Sequence, residues 1–289
     1  MIRFIAMLPY PLLRLVYRNP VMSRIASRIL RARTSVGKQF SVTVKNGPLK
    51  GKKLLIDDTV PNYYWIKGHD EPEVLHAMMA NVKAGYRVVD IGAHVGIETL
   101  LFSQLVGPRG QVVSIEPDPK NFHLLEENIR LHQVANVQLM EVAVSNQKGY
   151  LPFYHNKGVT SRLVRLSGQH NSDHYTVLSV QVITLDEMFE GKGVKIDFVK
   201  IDVEDFEVEV LDGARQFLEE QHPTLLVELH SYRSARNCFD ILNKLGYRLE
   251  LVQPPTEDVE RFLASQQQSS YEQGFQRCHL LARYLNWHN

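Results

Sequence analysis

Val88-Val89-Asp90-Ile91-Gly92-Ala93-His94-Val95-Gly96 is the stretch on which the fold of this chain turns. A short run of branched apolar residues ends in two glycines, and helical spacing takes over at Glu98–Val106. Gly92 and Gly96 allow a tight turn and a close approach of backbone to a ligand, with no Cβ in the way. The helix opening near Gly96 aims free N–H groups at the same place. Dinucleotide-binding turns carry GxGxxG. Here the spacing is GxxxG with Asp90 two residues ahead, which suits a pyrophosphate poorly. Glycine turns between strand and helix also occur with no ligand, so the motif needs support from its surroundings.

The residues that follow supply it. Arg87–Ile91, Gln111–Ile115, Val137–Ala143, Asp197–Ile201 and Thr224–Leu229 are short and rich in Val and Ile, as buried parallel strands are. They alternate with the helical stretches Glu98–Val106, Pro119–His132, Val208–Glu220 and Arg233–Leu245. That alternation predicts an α/β fold with a mostly parallel, doubly wound sheet built from right-handed βαβ units. Leu249–Val252 and His279–Ala282 are candidate edge strands, and Ser265-Gln-Gln-Gln-Ser-Ser270 reads as a loop. Ahead of the glycine turn, residues 40–56 alternate around Asn46-Gly47 and predict a hairpin, although Pro48 and Gly51 depart from the simplest pattern. A helix starts at Asp70-Glu71-Pro72-Glu73, with Asp70 as its cap and Pro72 in its first turn. Three segments result: a basic helical extension at 1–39, a hairpin and helix at 40–85, and a Rossmann-like domain at 86–289.

Charge separates the extension from the rest. The chain of 289 residues has a net charge of +1, yet its first acidic residue is Asp57 and twelve Lys/Arg precede it. The remainder holds 21 basic and 32 acidic residues, a net of −11. An acidic core argues against nucleic acid as partner. Residues 21–33 read as an amphipathic helix with Arg24, Arg28 and Arg31 opposite Val21, Ile25 and Ile29. It either packs its apolar stripe on the main domain, the reading we prefer, or makes a peripheral contact with anionic membrane. Pro9, Pro11 and Arg14 interrupt the apolar start, so neither a signal peptide nor a spanning helix is expected. Two cysteines, Cys238 and Cys278, suit thiols in a reducing, cytoplasmic compartment and leave a disulfide open. They offer no soft metal site.

The second predicted strand ends at Ile115-Glu116-Pro117-Asp118. An acid some 20 residues past the glycine turn is where Rossmann-like folds hold ribose hydroxyls, because two carboxylate oxygens accept from both members of a diol. Asp118 and Asn121 suit the start of the next helix better. The DxGxxxG turn resembles the first motif of Rossmann-type S-adenosylmethionine-dependent methyltransferases. Together with IEPDP at 115–119, AVSNQKG at 143–149, Phe198-Val-Lys-Ile-Asp-Val-Glu-Asp-Phe-Glu-Val-Glu-Val-Leu-Asp-Gly-Ala214 and Leu226-Val-Glu-Leu-His230, the chain resembles the FkbM family from roughly Trp65 to Tyr247.

The resemblance implies a class I methyltransferase fold, S-adenosylmethionine as methyl donor, and oxygen methylation of a small-molecule or glycosidic acceptor. Asp90, Gly92 and Gly96 match the cofactor turn, and Glu116 matches the ribose acid. Ala143 and Val144, with Ser145, match the segment near adenine, and Glu71 matches an acid ahead of the domain. Asp202 and Glu204 match the acidic pair facing the methyl-transfer site. The family usually has glycine where Asp205 stands here, and His94 replaces the commoner Asn.

An alcohol acceptor needs a group to take its proton, and open α/β sheets bind ligands at the carboxyl ends of their strands. Asp202 and Glu204 end the fourth strand, and Glu228 and His230 end the fifth; His230 is a base suited to neutral pH. Asp202, Glu204 and His230 are therefore the expected catalytic residues. Such a cluster also suits Mg²⁺, but the preferred reading is metal-free. Weaker candidates are His69, for closing over the cofactor, and Tyr63, Tyr64 and Trp65, for lining a substrate pocket. Two other functions remain open on sequence: a nicotinamide-dependent oxidoreductase, against which the missing GxGxxG counts, and a non-catalytic adaptor that binds through its basic helix.

Overall fold

The structure is a computed structural model, described here for residues 39–57, 71–156, 162–163, 175–253, 255–256, 258–266 and 277–284. The helix expected at 21–33, Tyr63, Tyr64, Trp65, His69 and Asp70 lie outside the described residues. Residues 40–56 do form a hairpin, in which β1 (Phe40–Thr43) and β2 (Lys53–Ile56) pair antiparallel with Thr43 opposite Lys53. Val44 N–H donates to the Lys52 carbonyl at 2.9 Å and closes a loop longer than two residues. Pro48 has no N–H to give a tight ladder, which accounts for the length. The hairpin falls in one compact unit, and all that follows from Glu71 is described as part of a second.

The second unit opens with α1 (Pro72–Asn81), which buries Val74, Ala77 and Met78. This helix packs beside the strand at Tyr247–Gln253, and the second compact unit begins at Glu71. Glu71 occupies the N-cap position without making a side-chain cap bond. Next come β3 (Arg87–Ile91), α2 (Ile97–Val106), β4 (Gln111–Ile115), α3 (Pro119–Leu131) and β5 (Val137–Met140). Asp118 caps α3 as its position suggests, its carboxylate accepting from the N–H groups of Lys120 and Asn121.

After β6 (Ala143–Val144), β7 (Gly149–Asn156), β8 (Arg162–Leu163) and β9 (Tyr175–Ile183), the chain continues through α4 (Leu185–Phe189), β10 (Phe198–Ile201), α5 (Glu207–Asp212) and α6 (Arg215–Gln221). It finishes with β11 (Thr224–Leu229), α7 (Tyr232–Lys244), β12 (Tyr247–Gln253), β13 (Pro255–Thr256), α8 (Val259–Gln266) and β14 (Cys278–Tyr284).

The main sheet runs β13-β12-β14-β11-β10-β3-β4-β5. β5, β4, β3, β10 and β11 are parallel, and β14 lies antiparallel between β11 and β12. The strands expected at the edge, 249–252 and 279–282, are interior: β14 inserts between β11 and β12, and the short β13 pairs on the outer side of β12. From β3 the chain winds outward to β5, then crosses back to β10 on the other side of β3. The carboxyl ends of β3 and β10 flank that reversal, where open α/β sheets form their crevice.

Three sequence expectations change. Val137–Ala143 splits, and its last residue opens β6, which pairs parallel with β9 in a separate sheet ordered β6-β9-β7-β8. The helix expected over 208–220 breaks at Gly213, where an added Cβ would lie 2.1 Å from the Ser145 carbonyl oxygen. Only glycine lets that backbone pass, so the break and the 143–145 segment are one packing solution. Part of the Ser265–Ser270 patch, Ser265 and Gln266, is helical as the end of α8. Both cysteines are buried and free. Among the described residues no helix is long and apolar enough to cross a membrane.

Candidate active site

Three strand ends bring the sequence motifs together. Gly92 follows β3 with φ +81, and a Cβ there would sit 1.7 Å from the Asp202 carbonyl oxygen. Gly96 (φ +88) would place a Cβ 2.5 Å from the Leu125 side chain. Gly92 is thus required by packing against fixed backbone, and Gly96 by its left-handed conformation, quite apart from any ligand. His94 between them has φ +52, a region where Asn, Asp and His are the commoner non-glycine residues. The exchange of Asn for His keeps that backbone shape.

Glu116 holds the turn from the next strand. One carboxylate oxygen accepts from the His94 N–H at 2.8 Å, the other from the Asp118 N–H at 3.0 Å and from Asn121 Nδ2 at 3.4 Å. The residue is only 5% exposed. Burial pushes its carboxyl up to about 7, against the two backbone donors, which favour the ionised form. Three donors leave a two-oxygen carboxylate with further accepting capacity. Asp118 in turn takes a 2.6 Å hydrogen bond with His155 Nδ1 from β7, so the second sheet braces this side of the site.

Asp90 is placed differently from a ligand-facing acid. It is fully buried, with Oδ2 accepting from the Thr99 hydroxyl at 2.6 Å and Oδ1 lying 3.9 Å from Lys200 Nζ. Burial raises it to about 6, opposed by Lys200. Parallel register sets Asp90 between Ser114 and Lys200, and Ser114 Oγ donates to Thr99 at 3.0 Å. Lys200 Nζ also reaches Glu98 and Asp202, both at 3.4 Å. Against the cost of burial, Glu98, Asp202 and Asp90 raise this lysine well above its ordinary value. No motif singles out Lys200 in the sequence, where the one signal is a charge in the middle of the apolar run Phe198-Val-Lys-Ile201.

At the ends of β10 and β11 the expected catalytic residues meet. His230 is buried, and its Nδ1 lies 2.8 Å from Glu207 Oε1. Its Nε2 lies 3.6 Å from Asp202 Oδ1, 3.6 Å from Glu204 Oε2 and 3.5 Å from Glu228 Oε1. Glu207, one acid in a run of acids, is wholly buried and also accepts from the Ser234 hydroxyl. Burial, with Glu228 beside it, pushes Asp202 up to about 7. Against its own burial, the hydrogen bond to Glu207 and the nearby Asp202 and Glu204 push His230 up to about 10. Burial also raises Glu204, opposed by His230 and Arg277.

His279, missed in the sequence analysis, comes into the cluster by register, directly opposite Glu228 on β14. Its Nε2 is 3.3 Å from Glu228 Oε2 and 3.6 Å from Glu71 Oε2. Against its burial, Glu228 is held down to about 2 by His279, His230 and Lys200. Glu71 therefore joins the acid–histidine cluster through His279. Ala143 and Val144 are buried in β6.

Glu204 and Asp205 both have positive φ, +53 and +77. That explains why glycine is usual at the second position. Asp205 is held there by the Ser231 hydroxyl, which donates to Oδ1 at 2.6 Å, and by its own N–H donating to Glu207 at 2.9 Å. Asp205→Gly should melt within about 1 kcal/mol of the parent, since relief of left-handed backbone offsets one lost hydrogen bond. Asp205→Ala keeps the strain, loses the bond, and should fall about 1–2 kcal/mol below the parent in thermal melts.

Comparison with known proteins agrees with these motifs. The methyltransferase FkbM domain family matches residues 90–249. The hexuronic acid methyltransferase AglP of Haloferax volcanii is 23% identical over 183 residues, 63% of this chain and 72% of that protein. A crystal structure of methyltransferase FkbM from Methylobacillus flagellatus aligns over 73% of this chain at 17% identity and TM-score 0.45. This chain spans about half (52%) of that protein's length. A SAM-dependent O-methyltransferase from Thermotoga maritima aligns over 86% of this chain and 79% of its own, at 14% identity and TM-score 0.44.

Proposed function

This chain belongs to the FkbM methyltransferase family, and from that premise we propose that it methylates a hydroxyl of a small-molecule or glycosidic acceptor, with S-adenosylmethionine as donor. The observation that carries the reading is a single one. Glu116, just past the end of β4, and the Asp202–Glu204–His230 cluster, at the ends of β10 and β11, stand on either side of the glycine turn after β3. The buried carboxylate of Glu116 suits a ribose diol, and Gly92 and Gly96 shape the turn beside it. Asp90 supports that turn from within the sheet, Ala143 and Val144 stand for the adenine side, and Glu71 reaches the opposite side through His279. A hexuronic acid glycoside is the first acceptor to test, on the strength of the AglP similarity.

The donor supplies an electrophilic methyl on a sulfonium. The acceptor oxygen forms the new C–O bond as the C–S bond breaks, and S-adenosylhomocysteine leaves. The hydroxyl proton passes to a carboxylate of the Asp202–Glu204 pair. Dense negative charge also favours the cationic sulfonium close by. The missing GxGxxG and the family membership leave the nicotinamide and adaptor alternatives without support. A peripheral membrane contact through residues 21–33 rests on their sequence alone.

Calorimetry tests the cofactor half. Ribose hydroxyls donate to an ionised carboxylate, so affinity for S-adenosylmethionine should rise about tenfold from pH 6 to pH 8 as Glu116 loses its proton near 7. Glu116→Gln should bind at least about tenfold more weakly at pH 8 and lack that component of the pH dependence. Undiminished binding by the variant removes Glu116 from the site. A labelled-methyl screen of uronic acid glycosides and simple alcohols tests the acceptor half.

A further inference from the structure

The three groups at the heart of the cluster are each held by a second buried partner, and each turns its remaining donor atom toward the others. His230 has its Nδ1 on Glu207, Glu228 has Oε2 on His279, and Asp202 has Oδ2 on Lys200. His230 Nε2 then faces Asp202 Oδ1 at 3.6 Å and Glu228 Oε1 at 3.5 Å, the latter with the half-exposed Arg277 Nη1 at 3.8 Å on its outer side. One donor atom from each of the three residues lies within 4.8 Å of the others. His230 is 5% exposed, and its Nε2 makes no hydrogen bond to any described residue.

A proton on that nitrogen finds no partner at bonding distance, since hydrogen bonds need about 2.7–3.2 Å and the three facing carboxylate oxygens lie at 3.5–3.6 Å. An ion centred among them fits better. Two donors at about 2.1 Å from one cation stand about 3.0–3.4 Å apart, so each imidazole–carboxylate separation needs to close by only a few tenths of an ångström. Asp202 and Glu228 are each partly exposed, at 27% and 16%, which leaves a way in from solvent.

We propose that Asp202, Glu228 and His230 bind a divalent first-row transition-metal ion, for which Mn²⁺ is the probe. One imidazole and two carboxylates make a mixed nitrogen–oxygen set that suits such ions. Glu207, whose carboxylate accepts from His230 Nδ1–H, is the outer partner that fixes the tautomer and turns Nε2 inward, and His279 orients Glu228 from behind through Oε2. The proposal deepens the methyltransferase reading, on which only its consequence for the acceptor rests. An ion with three protein donors keeps open positions for an acceptor hydroxyl and an oxygen on the neighbouring carbon, and it acidifies the hydroxyl. Glu204, whose Oε2 faces the same point, then takes the proton.

Electron paramagnetic resonance on the chelator-treated full chain tests this without any turnover. One equivalent of Mn²⁺ should bind and lose its free-ion signal. Asp202→Asn and Glu228→Gln should each abolish that binding, and Glu207→Gln should weaken it about 10–100-fold through the tautomer. Circular dichroism and S-adenosylmethionine calorimetry on the same samples report folding and the donor site separately. No bound Mn²⁺ in a folded parent that still binds the donor overturns the metal site and leaves the methyltransferase reading standing. Equal Mn²⁺ binding by parent and Glu228→Gln overturns it too. Mn²⁺ binding without donor binding overturns the donor assignment and leaves the metal site.

Discussion

Gly92→Ala should lower stability by about 3–5 kcal/mol, the sum of a left-handed backbone that alanine resists and an overpacked contact. The contact is the severe part. The new Cβ would lie 1.7 Å from the Asp202 carbonyl oxygen and 2.9 Å from its carbonyl carbon. Neither atom belongs to a side chain that can swing away. Asp202 is pinned besides, because its N–H donates to the Ile91 carbonyl at 3.0 Å. Relief therefore requires parting the ends of β3 and β10, which carries Asp202 away from His230 and opens the turn held by Glu116. Gly85→Ala is the control. It shares a positive φ, +86, but has nothing within 4 Å of its added Cβ, so it should cost only about 1–2 kcal/mol. Urea unfolding followed by circular dichroism compares the two. Equal midpoints would mean that the strand ends accommodate the methyl group and that Gly92 is a matter of backbone conformation alone.

The motifs that sequence alone exposes are those in which one residue type is forced by local geometry. Glycine at 92, an acid at a strand end at 116 and Asp118 at the start of α3 are legible because turn, strand end and cap each restrict the choice of residue. The parallel strands are legible for a similar reason, since strands buried on both faces read as unbroken apolar runs. β6 to β9 escaped because Val137–Ala143 is continuous in hydrophobicity and only tertiary pairing, Ala143 with Val182, divides it.

Positions joined by register between distant segments were the least legible. His279 stands opposite Glu228 only because β14 inserts antiparallel between β11 and β12, and no local pattern announces that insertion. Glu207 sits in a run of acids that resembles a solvated helix face. Its burial follows from the packing of α5 against α7, which brings Ser234 and His230 onto its two oxygens. The same packing raises the basicity of His230, which local sequence treats as a base near neutrality: with no ion among them, the hydrogen bond to Glu207 and the nearby Asp202 and Glu204 push it up to about 10. In physical terms, backbone requirements are written locally, whereas the protonation state of a buried group belongs to the whole sheet.

Lys200→Met should destabilise the protein by about 3–5 kcal/mol, the cost typical of removing one member of a buried charge group and stranding the others. The side chain is 8% exposed, and its ammonium is the cation shared by Asp90, Glu98 and Asp202. Methionine fills much of the same volume, so a cavity contributes little and the loss reports the uncompensated carboxylates. Asp90 suffers most, since it is fully buried and has no solvent to turn to. Two consequences separate this electrostatic account from simple misfit. Adding Asp90→Asn to Lys200→Met should recover at least about 1 kcal/mol, a coupling expected only of residues that interact directly. The penalty should also shrink below pH 6, because Asp90 already takes up a proton near that value with the lysine present, and more readily without it. Urea titrations of parent, single and double variants at pH 5 and pH 8 supply both comparisons. A loss independent of pH and unrelieved by Asp90→Asn would show that Lys200 matters for its shape. The electrostatic outcome makes it the residue that holds Asp202 with one oxygen turned toward His230, and so ties the interior of the sheet to the chemistry at its edge.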